Sequence, residues 1–105
     1  MTDEMTDFVP KDLVATYLER RIGDLSRLAD MLMEHDFKGI AELGHKLYGS
    51  GGAYGMPRIS MLGKQLQKAA RTGDPARVSE VLDTLRYHVQ HEIPKRLGPD
   101  NAGVD

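Results

Sequence analysis

The chain contains no cysteine and no tryptophan among its 105 residues. The lack of cysteine excludes disulfide bridges, thiolate zinc sites and cysteine nucleophiles, and it agrees with a reducing compartment. Long hydrophobic runs are also lacking, because no stretch approaches the roughly 18 apolar residues that cross a bilayer. The acidic, polar start Met1–Met5 differs from the basic and then apolar pattern of a signal peptide. We therefore expect a soluble protein with a cytoplasmic location and no membrane partner.

An excess of charge of either sign is missing too. The chain has 14 lysine and arginine residues against 16 aspartate and glutamate residues, a formal net charge of −2. This balance gives no support for nucleic acid as a partner. Glycine-rich phosphate loops and the motif set of protein kinases are absent as well, so we expect no ATP-dependent kinase activity. A hydrophobic share of 40% and a charged share of 29% are typical of one soluble globular domain.

Apolar residues recur at spacings of three and four through four segments, and no segment has the alternation typical of a strand. Pro10 and Pro57 suit the first turn of a helix, and Asp36 and Asp74 suit N-caps. Short connections favour antiparallel neighbours. The sequence therefore predicts an all-α fold, an up-down antiparallel four-helix bundle.

Two features modify this prediction. Gly23 followed by Asp24 predicts a possible break in the first segment, which would leave a short extra N-terminal helix. Pro94 predicts that the last helix ends or kinks nearby, because proline removes a backbone hydrogen bond. We accordingly divide the chain into a flexible N-terminal leader (1–9), a helical bundle (10–97) and a disordered C-terminal tail (98–105).

Five of the eleven glycines lie between residues 44 and 55. Glycine within a helix lowers helix stability by about 1 kcal/mol relative to alanine. Glycine is nevertheless used where another group must approach the backbone closely. A helical count of about 100° per residue puts His45 near the edge of the solvent face, with Gly49 one turn later. We therefore expect an exposed histidine with open space beside it.

The run His45-Lys46-Leu47-Tyr48-Gly49-Ser50, with Gly55 ten places after the histidine, resembles the signature of histidine-containing phosphotransfer (HPt) domains. These are helical bundles that carry phosphoryl groups in two-component phosphorelays. The resemblance extends from about Leu13 to Leu97. It implies that His45 accepts a phosphoryl group from a receiver-domain aspartyl phosphate and passes it to another receiver. Response-regulator receiver domains or a hybrid histidine kinase would be the partners. Mg²⁺ would be held by the receiver, and this chain would need no cofactor.

The resemblance also implies roles for neighbouring residues. Gly49 would open space for the receiver, and Gln67 would hydrogen-bond the imidazole. The family usually has a lysine where this chain has Tyr48. The third helix carries a polar, basic stripe, and counting from the turn at Gly55 brings this stripe level with His45. The candidate residues for binding the phosphoryl group or the receiver are Lys46, Tyr48, Gly49, Gly52, Lys64, Gln67, Lys68 and Arg71.

Other interpretations remain open at this point. A helical-bundle adaptor that binds a receiver or a kinase without being phosphorylated would explain Tyr48 in place of lysine. His88 and His91 with Glu92 suggest metal binding only weakly, because no further ligands cluster with them, and we expect no metal site. Tyr48 also falls on the apolar face of its helix, which favours a core position with the hydroxyl at the rim. An exposed apolar rim would form the docking surface, with candidates Leu13, Val14, Met33 and Tyr48. A monomer is the simplest expectation.

Overall fold

The computed structural model describes residues 9–103 and the side chains of residues 9–96. This part of the chain contains four helices and no strand: α1 (Lys11–Met33), α2 (Phe37–Ala53), α3 (Pro57–Arg71) and α4 (Pro75–Gly103). Each helix packs against two neighbours in the cyclic order α1, α2, α3, α4, and the described residues give no diagonal contact. Because only short turns join successive helices, neighbours run antiparallel. The predicted up-down four-helix bundle is confirmed.

The turns are made by the residues that the sequence indicates. The side chain of Asp36 accepts a hydrogen bond from Gly39 N at 2.9 Å and caps α2. Asp74 accepts one from Arg77 N at 3.1 Å at the start of α4. Gly73 ends the preceding turn with φ of 67°, a left-handed conformation that glycine adopts without a steric penalty. These caps confirm where the second and fourth helices begin.

Every helix contributes apolar side chains to one core. Burying each such side chain contributes about 1.5–3 kcal/mol relative to leaving it in water. Within the described region no helix has an apolar stretch long enough to cross a bilayer. The largest fully buried side chains are Leu18, Leu28, Ile40, Leu47, Met56, Ile59, Leu66, Val78, Val81, Leu85 and Val89.

The predicted break at Gly23 is wrong, because α1 is one continuous helix and no short N-terminal helix precedes it among the described residues. The physical reason lies in Asp24, whose carboxylate does not cap a new helix. It lies 2.9 Å from Arg21 Nε on one side and 2.9 Å from Arg27 Nη1 on the other. Both partners are three residues away in the same helix, so the carboxylate bridges adjoining turns of α1.

The inner face of α1 is narrower than its apolar pattern predicts. Leu13, Ile22 and Met33 are exposed, with Met33 retaining 83% of its accessible surface. Val14 is buried instead, so its assignment to an exposed apolar rim is wrong. The remaining predicted rim residues, Leu13, Met33 and Tyr48, do reach the surface.

Helix α4 does not end near Pro94 but continues to Gly103. The turn that follows Pro94 is tied to the bundle by Arg96. Its Nε lies 2.9 Å from Glu92 Oε2, and its Nη2 donates a hydrogen bond of 2.8 Å to the backbone oxygen of Gly55. These contacts offset the single backbone hydrogen bond that proline removes.

The domain boundaries are only partly covered by the described residues. Positions 98–103 of the predicted tail are helical, whereas 104–105 and most of the predicted leader, 1–8, lie outside the described region. The division into leader, bundle and tail stays a prediction.

Candidate functional site

Helices α2 and α3 touch through their backbones at three glycines. A Cβ atom added at Gly44 would lie 2.7 Å from the backbone oxygen of Gly63, and one added at Gly63 would lie 2.6 Å from Tyr48 N. A Cβ at Gly51 would collide with Ser60 N. We call Gly44, Gly51 and Gly63 the glycine seam. Because no side chain separates the two backbones here, the helices approach more closely than any other residue would allow.

The glycine seam sets the axial register of the two helices. Ser60 Oγ donates a hydrogen bond of 2.6 Å to the backbone oxygen of Tyr48 across the seam. In this register His45 is level with Gln67, whose Nε2 lies 3.4 Å from His45 Nδ1. One turn along, Lys64 Nζ lies 5.4 Å from the centroid of the Tyr48 ring, a cation–π distance. The register expected from counting residues about the Gly55 turn is therefore present.

His45 is exposed and has open surface beside it. A Cβ at Gly49 or at Gly52 would meet no atom within 4 Å. Gly49 lies one helical turn after His45, so the surface next to the imidazole is bare backbone. A partner can therefore approach the ring along this side without steric hindrance from positions 49 and 52.

A groove of about 400 Å³ lies on the other side of the His45 ring. Two cationic side chains, Lys46 and Arg71, line it together with one carboxylate, Glu42. We call this cavity the His45 groove. Its lining residues are Ala41, Glu42, His45, Lys46, Gln67 and Arg71.

Most, but not all, of the candidate residues gather around His45. Lys68 does not, because it lines a separate groove with Thr72 and Arg77, one residue and thus about 100° further round α3 than Gln67. Tyr48 retains 43% of its accessible surface, so the core position favoured for it is wrong. Glu42 was not among the predicted site residues, although its position three before His45 puts it on the same face of α2.

The histidines of α4 lie apart from this site. His88 is half-buried, and burial lowers the pKa of its imidazole below the ordinary value of 6.5, while Glu92 opposes that shift. The His91 ring stacks on Tyr87 at 3.8 Å, and its Nδ1 donates a hydrogen bond of 2.8 Å to Tyr87 O. No three His, Cys, Asp or Glu side chains converge on a common point within the described part of the chain.

Comparison with known proteins identifies relatives that match most of the chain. The chain is 29% identical over 82 residues to the aerobic respiration control sensor protein ArcB of Escherichia coli strain K12 and to that of Shigella flexneri. It is 28% identical to the protein of the same name from Escherichia coli O157:H7. Each match covers 78% of this chain and only 10% of the relative. No solved structure matches the chain significantly.

The family model of the Hpt domain matches residues 12–93. This range covers all of α2 and α3 and nearly all of α1, together with α4 as far as Ile93. It therefore includes His45, Gln67 and the glycine seam. The chain belongs to the Hpt domain family, the histidine phosphotransfer domains of two-component signalling.

Proposed function

We propose that His45 is the phosphorylated residue. It accepts a phosphoryl group from the aspartyl phosphate of one receiver domain and passes it to another receiver in a phosphorelay. The observation that carries this proposal is the exposed imidazole, with Nδ1 3.4 Å from the Gln67 amide and bare backbone at Gly49 beside it. A phosphoryl carrier needs one ring nitrogen open to its partner and the other held in place.

The transfer is a displacement at phosphorus. The lone pair of His45 Nε2 attacks the phosphorus atom, and the bond from phosphorus to the aspartyl oxygen breaks as the N–P bond forms, which releases the aspartate as a carboxylate. For Nε2 to hold the lone pair, the ring proton must be on Nδ1. The Gln67 amide holds that tautomer when its Oε1 faces the ring and accepts from Nδ1–H, and an amide can be turned either way. Passing the group to a second receiver reverses these steps, so the protein is a regenerated carrier.

Cations around His45 support a stable phosphohistidine. The phosphoryl group brings close to two negative charges, which charged donors stabilise. Lys46 and Arg71 line the His45 groove, and Lys64 lies one turn along α3 from Gln67. Because the Lys64 ammonium lies over the Tyr48 ring, it brings positive charge to the level of the bundle at which the family usually has lysine.

The partners that we propose follow from membership of the Hpt domain family. Receiver domains or a hybrid histidine kinase are the expected partners, docking over Gly49 and Gly52 with Tyr48 at the edge. Mg²⁺ belongs to the receiver, and we expect this chain to need no cofactor and to work in the cytoplasm as a monomer. The chain spans about a tenth of the length of the sensor proteins that it matches, so the activities of those whole proteins are not carried over.

The test is phosphoryl transfer from a phosphorylated receiver domain in the presence of Mg²⁺. His45→Gln and His35→Gln each remove one exposed histidine, and the second lies in the turn between α1 and α2 and serves as the control. We expect an acid-labile, alkali-stable label on the wild type and on His35→Gln, and none on His45→Gln. The free energy of unfolding of His45→Gln should stay within about 0.5 kcal/mol of wild type.

A label that persists on His45→Gln would refute the assignment of His45. Binding of a receiver without any label on the wild-type protein would instead indicate the adaptor function.

A further inference from the structure

A second cavity lies between α1 and α2, on the opposite side of α2 from Gln67. It encloses about 540 Å³, within the range of cavities that bind small molecules. Lys46 lines both this cavity and the His45 groove. Arginines of α1 form the opposite wall, so we call it the arginine cavity.

Positive charge is concentrated in the arginine cavity, although the chain as a whole has a net charge of −2. Four cationic side chains line it, namely Arg20, Arg21, Arg27 and Lys46, against the single carboxylate of Asp24. That carboxylate is within 2.9 Å of both Arg21 and Arg27. Among the described residues, neither Arg20 nor Lys46 has a carboxylate within ion-pair distance.

The guanidinium of Arg21 is held in a fixed position. Its carbon lies 4.2 Å from the centroid of the Tyr17 ring, and its side chain is only 13% exposed. Tyr17 in turn stacks on Tyr54 at 4.3 Å, and its hydroxyl lies 2.9 Å from Ser50 Oγ. A donor that is already immobilised loses little conformational entropy when a ligand binds. Neither Nη atom of Arg21 donates to an acceptor in the described part of the chain.

We propose that the arginine cavity binds a small organic anion that carries phosphate or carboxylate groups. The planar guanidinium of Arg21 would pair with such a group through its Nη atoms, the geometry that arginine shares with carboxylate and phosphate. Arg20 and Lys46 neutralise a second negative charge. The volume accommodates a molecule larger than inorganic phosphate. This site is separate from phosphorylation of His45 and exists in the unphosphorylated protein.

The test is an amide NMR titration of the unphosphorylated full chain with three probes: citrate, inorganic pyrophosphate and inorganic phosphate. Ionic strength is held constant with sodium chloride. We expect saturable shifts at the amides of Tyr17, Arg21, Ser50 and Tyr54 with citrate, comparable shifts with pyrophosphate, and weaker binding of inorganic phosphate. Shifts that grow linearly with every probe and match those of chloride would overturn the proposal.

Two variants locate the site. Arg21→Met should weaken binding at least ten-fold, since charged hydrogen bonds to the anion are lost. Because Arg21 also pairs with Asp24, the exposed Lys46→Gln provides a second variant that leaves this pair intact, with an expected loss of three-fold or more. Arg77→Gln removes one exposed positive charge from α4 and is the matched control. Equal affinities for Lys46→Gln, Arg77→Gln and wild type, with Arg21→Met also unchanged, would contradict the assignment.

Discussion

The contact between Gln67 and His45 is long and exposed, and its value lies in orientation more than in stability. At 3.4 Å between Gln67 Nε2 and His45 Nδ1, it is near the outer limit of a hydrogen bond. An exposed bond of this kind adds little to the folding free energy, because water replaces it readily. Under the proposed function it would supply a preference for one ring orientation, and for the tautomer protonated at Nδ1 when Gln67 Oε1 faces the ring.

This argument predicts the effect of Gln67→Met, which keeps the length of the side chain and removes its amide. We expect the rate of phosphoryl transfer to His45 to fall by about two- to ten-fold, the equivalent of about 0.5–1.5 kcal/mol of hydrogen bonding. Rapid-quench transfer from a phosphorylated receiver measures this rate. Gln65→Met makes the same change on the side of α3 that faces Lys68, and its rate should equal that of wild type. Equal rates for both variants would show that Gln67 does not orient the ring.

Individual residues of the site could be predicted only where a distance along the chain decides the matter. That Gln67 is level with His45 could be predicted, because both positions can be counted along the chain from the Gly55 turn. Lys68 and Tyr48 could not be assigned in this way. Their position depends on the rotation of each helix about its own axis, and residues at the edge of an apolar face turn inward or outward with a small change in that rotation.

At the scale of the elements, α2 and α3 make the most extensive contact of any helix pair in the described residues, and the glycine seam contributes to it. Two glycines of α2 that are only five residues apart behave in opposite ways. Gly44 faces the backbone of α3, whereas Gly49 faces open space. Substituting alanine at both positions therefore distinguishes the effect of interhelical packing at Gly44 from the effect of helix propensity at Gly49.

We expect Gly44→Ala to lower the free energy of unfolding by about 1–3 kcal/mol, because its Cβ would force the two backbones apart. Gly49→Ala should raise it by about 0.5–1 kcal/mol, because alanine is the better helix former and meets nothing. Urea unfolding monitored by circular dichroism measures both values. Equal effects of the two substitutions would contradict the packing role of Gly44.

The apolar periodicity was sufficient to predict four helices. It was not sufficient to show that α1 continues through Gly23 and Asp24. Gly23-Asp24 has the residues of a helix end followed by an N-cap. Whether Asp24 caps a helix or pairs with arginines three residues before and after it is decided by three-dimensional packing. The sequence pattern is the same in both cases.

At the scale of the molecule, a contact of α4 holds the last helix to the α2–α3 turn. At one end, Arg96 of α4 joins the α2–α3 turn through Gly55 O and is paired with Glu92, whose side chain is only 6% exposed. The described residues of α4 elsewhere form pairs such as Arg86 with Asp83, whose side chains are 39% and 73% exposed. A buried carboxylate depends on its partner far more than an exposed one does.

Arg96→Met should therefore lower the free energy of unfolding by about 1–3 kcal/mol, since it leaves the carboxylate of Glu92 buried without its partner. Arg86→Met, the same substitution in an exposed pair ten residues earlier, should cost less than about 1 kcal/mol. Guanidinium chloride unfolding of the two variants provides the comparison. A loss no larger for Arg96→Met than for Arg86→Met would mean that this contact does not hold α4 to the α2–α3 turn.

The glycine seam also bears on how this protein can change over evolutionary time. Most interhelical distances are set by side-chain volume, so they drift as core residues are exchanged for others of different size. Between α2 and α3 the spacing is set mainly by backbone atoms, together with the Cβ atoms of Leu47 and Leu66. We therefore expect exchanges of core side chains elsewhere in the bundle to change the distance between His45 and Gln67 very little. A bundle with a repacked core would keep His45 and Gln67 in the same relative position as long as the three glycines of the glycine seam are retained.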